Sequence, residues 1–200
     1  MKLAAQLEAA IDELYARYTT DDNAASIARR EYEDRRGKVH QDDPLWEAWS
    51  SAFVEWFVIE RVPPGETLPP AARDREDPIV RALVTSHRSL FEVRGLAAGR
   101  IEVLDLLGGA ELEVSEQRAL HGVEVGDVAE LRLVGVGGEV RFGRTFIYHP
   151  KAARGAIVER ARHMLAKGSS RRDVIDQMAQ LRIQITRYRH MPVARVYEIK

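Results

Sequence analysis

Between Ser89 and His149 the chain alternates apolar and polar residues in five short runs: Leu90 to Arg94, Arg100 to Leu104, Ala110 to Val114, Val128 to Leu133 and Val140 to Tyr148. Alternation at a period of two marks a half-buried strand, whose side chains point to opposite faces in turn. The gaps hold Ala98-Gly99, Gly108-Gly109, Gly126-Asp127 and Gly137-Gly138, residues that tolerate the backbone conformations of tight turns. The pattern predicts an α+β protein built on a small antiparallel five-stranded β barrel or bent sheet. In the last run Arg144 falls on the face of Phe142 and Phe146 by strict counting, and a bulge at Gly143 would re-aim it.

On either side of this unit the period changes to that of helices. Leu3, Leu7, Ile11, Leu14 and Tyr18 predict an amphipathic first helix, and the charged segment from Ala24 to Arg36 predicts a second that stops at Gly37. Asp43-Pro44 has the chemistry of a helix start, and Trp46, Trp49, Phe53, Trp56 and Phe57 follow at helical spacing. All three tryptophans lie there, and the spacing favours a seam against the sheet over a stacking platform. Prolines 63, 64, 69 and 70 break the chain, and Asp77-Pro78 opens a short helix through Ile79, Leu83 and Val84. After the sheet, Lys151 to Lys167 predicts a helix ended by Gly168. Ser170 and Asp173 then cap a further one, and Val193 to Ile199 alternates as a final strand. The regions are 1–62 (N-terminal helices), 63–88 (proline-rich linker and short helix), 89–149 (β unit) and 150–200 (basic C-terminal helices and terminal strand).

Charge changes the picture more than composition does. The 200 residues carry a formal net charge of −1, yet residues 151–200 hold twelve basic side chains against four acidic ones. That surplus either presents a solvated cationic face or pairs with the acidic remainder of the chain. The chain has no cysteine, which excludes disulfides, thiol catalysis and cysteine-bound zinc. Met1 to Leu14 lacks the pattern of a signal peptide and no window approaches a membrane span, so a cytoplasmic location is expected.

Phe53 to Phe57, the proline-containing gap, Ser89 to Val93, Leu104 to Gly109, Gly126-Asp127 and Leu131 to Leu133 together resemble a β module of uncharacterised bacterial proteins, some of which carry a SEC-C metal-binding motif. The resemblance covers about residues 50–145 and implies a shared module alone, since without cysteine the SEC-C zinc site itself is absent. Met164 to Ile175 followed by Arg182 to His190 is similar to the helix-turn-helix of bacterial transposases and regulators. That resemblance implies base or phosphate contacts from Arg171, Arg172, Arg182, Gln184, Arg187 and Arg189. Ala179-Gln180-Leu181 offers no permissive turn residue, and one continuous helix from Arg171 describes the same stretch.

Enzymatic signatures are absent: the six histidines are scattered, and there is no phosphate-binding glycine loop, dinucleotide fingerprint or nucleophile elbow. The reading is a non-catalytic binding or regulatory protein, adaptor-like, that acts on another protein and has no catalytic, cofactor or metal residues. The alternative is a DNA- or RNA-binding regulator that uses the six C-terminal residues just named.

Overall fold

The computed structural model describes residues 2–117, 122–187 and 190–199. Helices α1 (Lys2–Tyr18), α2 (Asp22–Arg36), α3 (Trp46–Ile59), α4 (Pro70–Arg73) and α5 (Pro78–Val84) precede the strands. Strands β1 (His87–Ala97), β2 (Arg100–Asp105), β3 (Glu111–Ser115), β4 (Val128–Val136) and β5 (Glu139–His149) follow. A 3-10 turn at Lys151–Ala153 leads into α6 (Arg154–Ala166), α7 (Arg171–Arg187) and α8 (Val193–Tyr197). None of the described helices is long and apolar enough to cross a membrane.

Helix ends follow their local chemistry. Asp77 accepts hydrogen bonds from the backbone N–H groups of Ile79 and Val80, with Pro78 in the first turn of α5 where it costs no bond. Ser170 and Asp173 cap α7 reciprocally: the Asp173 N–H reaches the serine hydroxyl and the Ser170 N–H reaches the aspartate, each at 3.1 Å. Asp43-Pro44 forms a turn ahead of α3, with the Leu45 N–H bonded to Asp43 at 2.8 Å, and the helix begins at Trp46.

The five strands form one antiparallel sheet in the order β3-β2-β1-β4-β5. It is bent and does not close into a barrel. With successive strands reversed, the edges β3 and β5 run in the same direction and cannot complete the antiparallel ladder. The guanidinium of Arg141 on β5 bridges the gap by donating to the Ser115 carbonyl on β3 at 3.0 Å. A bulge interrupts the β4–β5 register between Leu131↔Phe146 and Leu133↔Phe142, at the position expected from Gly143. It turns Arg144 onto Asp12 of α1 at 2.6 Å.

The inner face of the bend packs Phe91, Val103, Val114, Leu131 and Phe142. The outer face contributes Val134 and Ile147 to a core with α1, α3 and α7, in which Trp49, Phe53, Trp56 and Phe57 are buried beside Tyr32. The tryptophan helix is thus the seam that its spacing predicts. A third cluster joins α6, α7 and α8 to Leu90 and Val128.

Two further expectations are corrected. Val193 to Ile199 forms no strand: Val196 and Tyr197 are buried next to each other in the one-turn helix α8, which follows Pro192. Apolar positions at 193, 196 and 197 fit a helical turn as well as they fit alternation, and over so short a run the period does not decide. Nor is β4 half-buried. Helices cover its polar side, so Glu130 and Arg132 are each 3% exposed. α7 is a single helix that passes through Ala179-Gln180-Leu181 without a break.

Candidate anion-binding cleft

The covered polar side of the sheet is a network of buried ions. Arg36, the last residue of α2, donates to Glu130 on β4 at 2.6 Å and to Asp176 on α7 at 3.3 Å. Arg35 holds the other Asp176 oxygen with two nitrogens, at 3.0 and 2.8 Å. Arg88 on β1 bridges Glu60 at 3.1 Å and Glu130 at 3.3 Å. Its cross-strand neighbour Arg132 contacts Glu60, the Ser86 hydroxyl at 3.0 Å and Glu55 at 3.4 Å, and Glu55 also accepts from Thr145 at 2.9 Å. Two guanidiniums directly opposite each other repel, and the intervening carboxylates make the pair tolerable.

The network opens to the surface along two adjoining clefts of about 350 and 430 Å³, with Glu60 and Arg172 in the wall between them. The first is lined by Arg88, Arg132, Arg171, Arg172 and His87 over an apolar floor of Ile59, Val84 and Ile175. The second adds Arg35 and Arg61 with Trp56, Val62 and Glu31. Six guanidiniums therefore face this groove, against two lining carboxylates. Glu55, Glu130 and Asp176, which balance the charge, are buried behind the wall. Arg35, Arg171, Arg172 and His87 form the accessible rim, their side chains 40–48% exposed.

Glu60 is the point of convergence. Burial by itself would raise its carboxyl pKa, but Arg88, Arg132 and then Arg172 outweigh burial and hold it at about 2. The Arg172 contact is at 3.3 Å. Asp105 anchors the neighbouring rim: it accepts from Ser89 at 2.5 Å, from the Leu107 N–H at 2.9 Å and from Arg171 at 3.3 Å, and lies 2.9 Å from His87 Nε2. Burial opposes ionisation there too, and the bonds from Ser89 and His87 with the turn N–H groups keep the carboxyl below its ordinary range. Serine and histidine both address the carboxylate rather than each other, so His87 is not set to take a proton from Ser89. No group of three or more candidate metal ligands exists among the described residues.

Of the six residues singled out in the sequence, the structure brings Arg171 and Arg172 together at this rim. Arg182 instead donates to the Tyr148 carbonyl at 2.6 Å, Arg187 to the Lys38 carbonyl at 2.9 Å, and Gln184 is exposed. Arg189 lies outside the described residues. Elsewhere in the basic segment Arg154 grips Glu92 with two bonds, and Lys151 pairs with Glu124 and Asp127. Much of the C-terminal positive charge is thus taken up by the acidic body. Sequence reasoning missed Arg35, Arg61, Arg88 and Arg132. The one signal for any of them is Glu55, a lone carboxylate in the apolar run from Phe53 to Ile59, which needs a buried cation and finds Arg132.

A model of a family of unknown function matches residues 46–183, a span that includes Glu55, Glu60, Arg88, Arg132, Arg171 and Arg172. No curated protein and no solved structure matches the chain.

Proposed function

The chain belongs to that family, DUF7986, whose function is unknown, and we propose from the geometry that the protein is a non-catalytic binding protein whose arginine-lined groove takes an acidic segment of a partner protein. The observation that carries this reading is the placement of charge: six arginines line one groove with two carboxylates, Glu31 and Glu60, while Glu55, Glu130 and Asp176 are buried. A guanidinium has five N–H donors in a fixed fork, so Arg171 and Arg172, each with one long contact to a carboxylate, keep donors for an incoming anion. The apolar floor of Ile59, Val84 and Ile175 suits side chains between the acidic ones.

A peptide is favoured over nucleic acid for two reasons. The groove is concave, and α7 turns a broad face into the core through Val174, Ile175, Met178, Ala179, Leu181 and Ile183, so it does not stand clear of the body as a recognition helix does. Single strands are held largely by stacking, and Trp56, the one indole at the groove, is 5% exposed, while the accessible His87 ring is held at Asp105.

The test is fluorescence anisotropy with a labelled polyglutamate peptide at low ionic strength, with duplex DNA and a polylysine peptide alongside. Polyglutamate is expected to bind, to weaken steeply with salt, and to weaken about tenfold or more in the double variant Arg171→Glu, Arg172→Glu. No polyglutamate binding at low salt, or tighter binding of DNA that the same variant removes, overturns the reading.

A further inference from the structure

We propose that Glu60 is a built-in surrogate for the ligand's carboxylate, and that an acidic ligand enters by taking Arg172 away from it. This deepens the reading of the groove as an anion site and rests on it. Glu60 stands at the C-terminal cap of α3, where the exposed carbonyls and the helix dipole disfavour a negative side chain, and the last turn of that helix has no basic residue of its own. A carboxylate in that position is tolerated because guanidiniums from three separate elements reach it: Arg88 from β1, Arg132 from β4 and Arg172 from α7. It lies in the wall common to both clefts, where a ligand spanning the groove must pass.

The three contacts are unequal. Arg88 and Arg132 are 10% and 3% exposed and are held by Glu130 and Glu55 as well, so they stay with the body. Arg172 is 44% exposed and meets Glu60 at 3.3 Å, so it can swing to an external oxyanion while Glu60 keeps two cations. The ligand class follows from what Glu60 imitates: a planar carboxylate offered to a guanidinium fork, as on a glutamate or aspartate side chain. In the free protein Glu60 competes with that ligand and limits its affinity.

The experiment measures polyglutamate binding to the full chain and to Glu60→Gln, Glu60→Asp and Glu31→Gln. Neutralising Glu60 removes the competitor, and about tenfold tighter binding is expected, the effect of one close charge pair at a partly solvated site. Glu60→Asp keeps the charge but withdraws it by one methylene from Arg172. An intermediate tightening is expected there, which preserves the test if the glutamine variant does not fold. Glu31 lies in the same groove but pairs with Arg61, so Glu31→Gln changes net charge equally without freeing Arg172. If Glu31→Gln tightens binding as much as Glu60→Gln, or if both Glu60 variants bind no better than the wild type, the surrogate role is wrong and the groove reading stands. If neither the wild type nor any variant binds, the groove reading itself has failed.

Discussion

Arg36 shows how a single side chain organises this protein. It is 1% exposed, is bonded to Glu130 and Asp176, and lies 5.2 Å from the ring centres of both Tyr32 and Trp49. Burial works against its charge, and the two carboxylates more than restore it, so its pKa is raised. Replacing it with an apolar residue of similar length would leave Glu130 without its shortest ion pair. Arg36→Met is expected to lower stability by about 3–5 kcal/mol, the cost of breaking a buried pair from one side. Urea unfolding of the two proteins checks this, and a loss below about 1 kcal/mol would mean that Arg88 alone satisfies Glu130.

At the scale of elements, the junction of α2 with α7 decides where Arg35 and Arg36 arrive. Gly37 ends α2 with φ +92° and its N–H bonded to the Glu33 carbonyl at 2.7 Å, and a Cβ there would lie 2.8 Å from Ile183 Cδ1 on α7. Gly37→Ala therefore meets both backbone strain and a clash, and a loss of about 1–3 kcal/mol is expected, read as a lower thermal midpoint. Gly37 was legible in the sequence as a helix stop, as were the five strands, the Gly143 bulge and the Ser170-Asp173 cap. All are written in local rules: turn residues, period and capping geometry. The ionic layer was not legible, because Glu130 and Arg132 alternate with leucines as solvent-facing residues would, and only the helices laid over β4 make that face interior. The same limit hid the groove, whose arginines come from α2, β1, β4, α7 and the residue after Glu60, and which no sequence spacing links.

Across the whole molecule, acid is expected to act in two separate windows. His149 is buried with Nδ1 2.8 Å from the Tyr197 hydroxyl; burial, with Arg182 and Arg36 nearby, depresses its pKa from 6.5 to about 4 against the opposing pull of Glu130. A depressed folded pKa means that the unfolded chain takes up the proton first. The stability from keeping His149 neutral is thus complete above about pH 6.5 and is lost as pH falls toward 4, on the order of 3 kcal/mol in all. Glu60 has the same sign lower down: its share is present above its unfolded value of 4.5 and disappears as pH falls through about 2. Denaturant midpoints of the wild type and His149→Gln, measured from neutral pH down to 4, are expected to converge. Parallel curves would remove His149 from the account.

Glu60 fastens a strand, its neighbour and a helix that are far apart in the chain, and the guest proposed for the groove would unfasten one of them. Thermodynamic reciprocity makes the trade symmetric: whatever tightens the Arg172 arm of that knot lowers appetite for the guest by an equal measure. A version of this fold made hardier at that one contact would, on that account, be a poorer host.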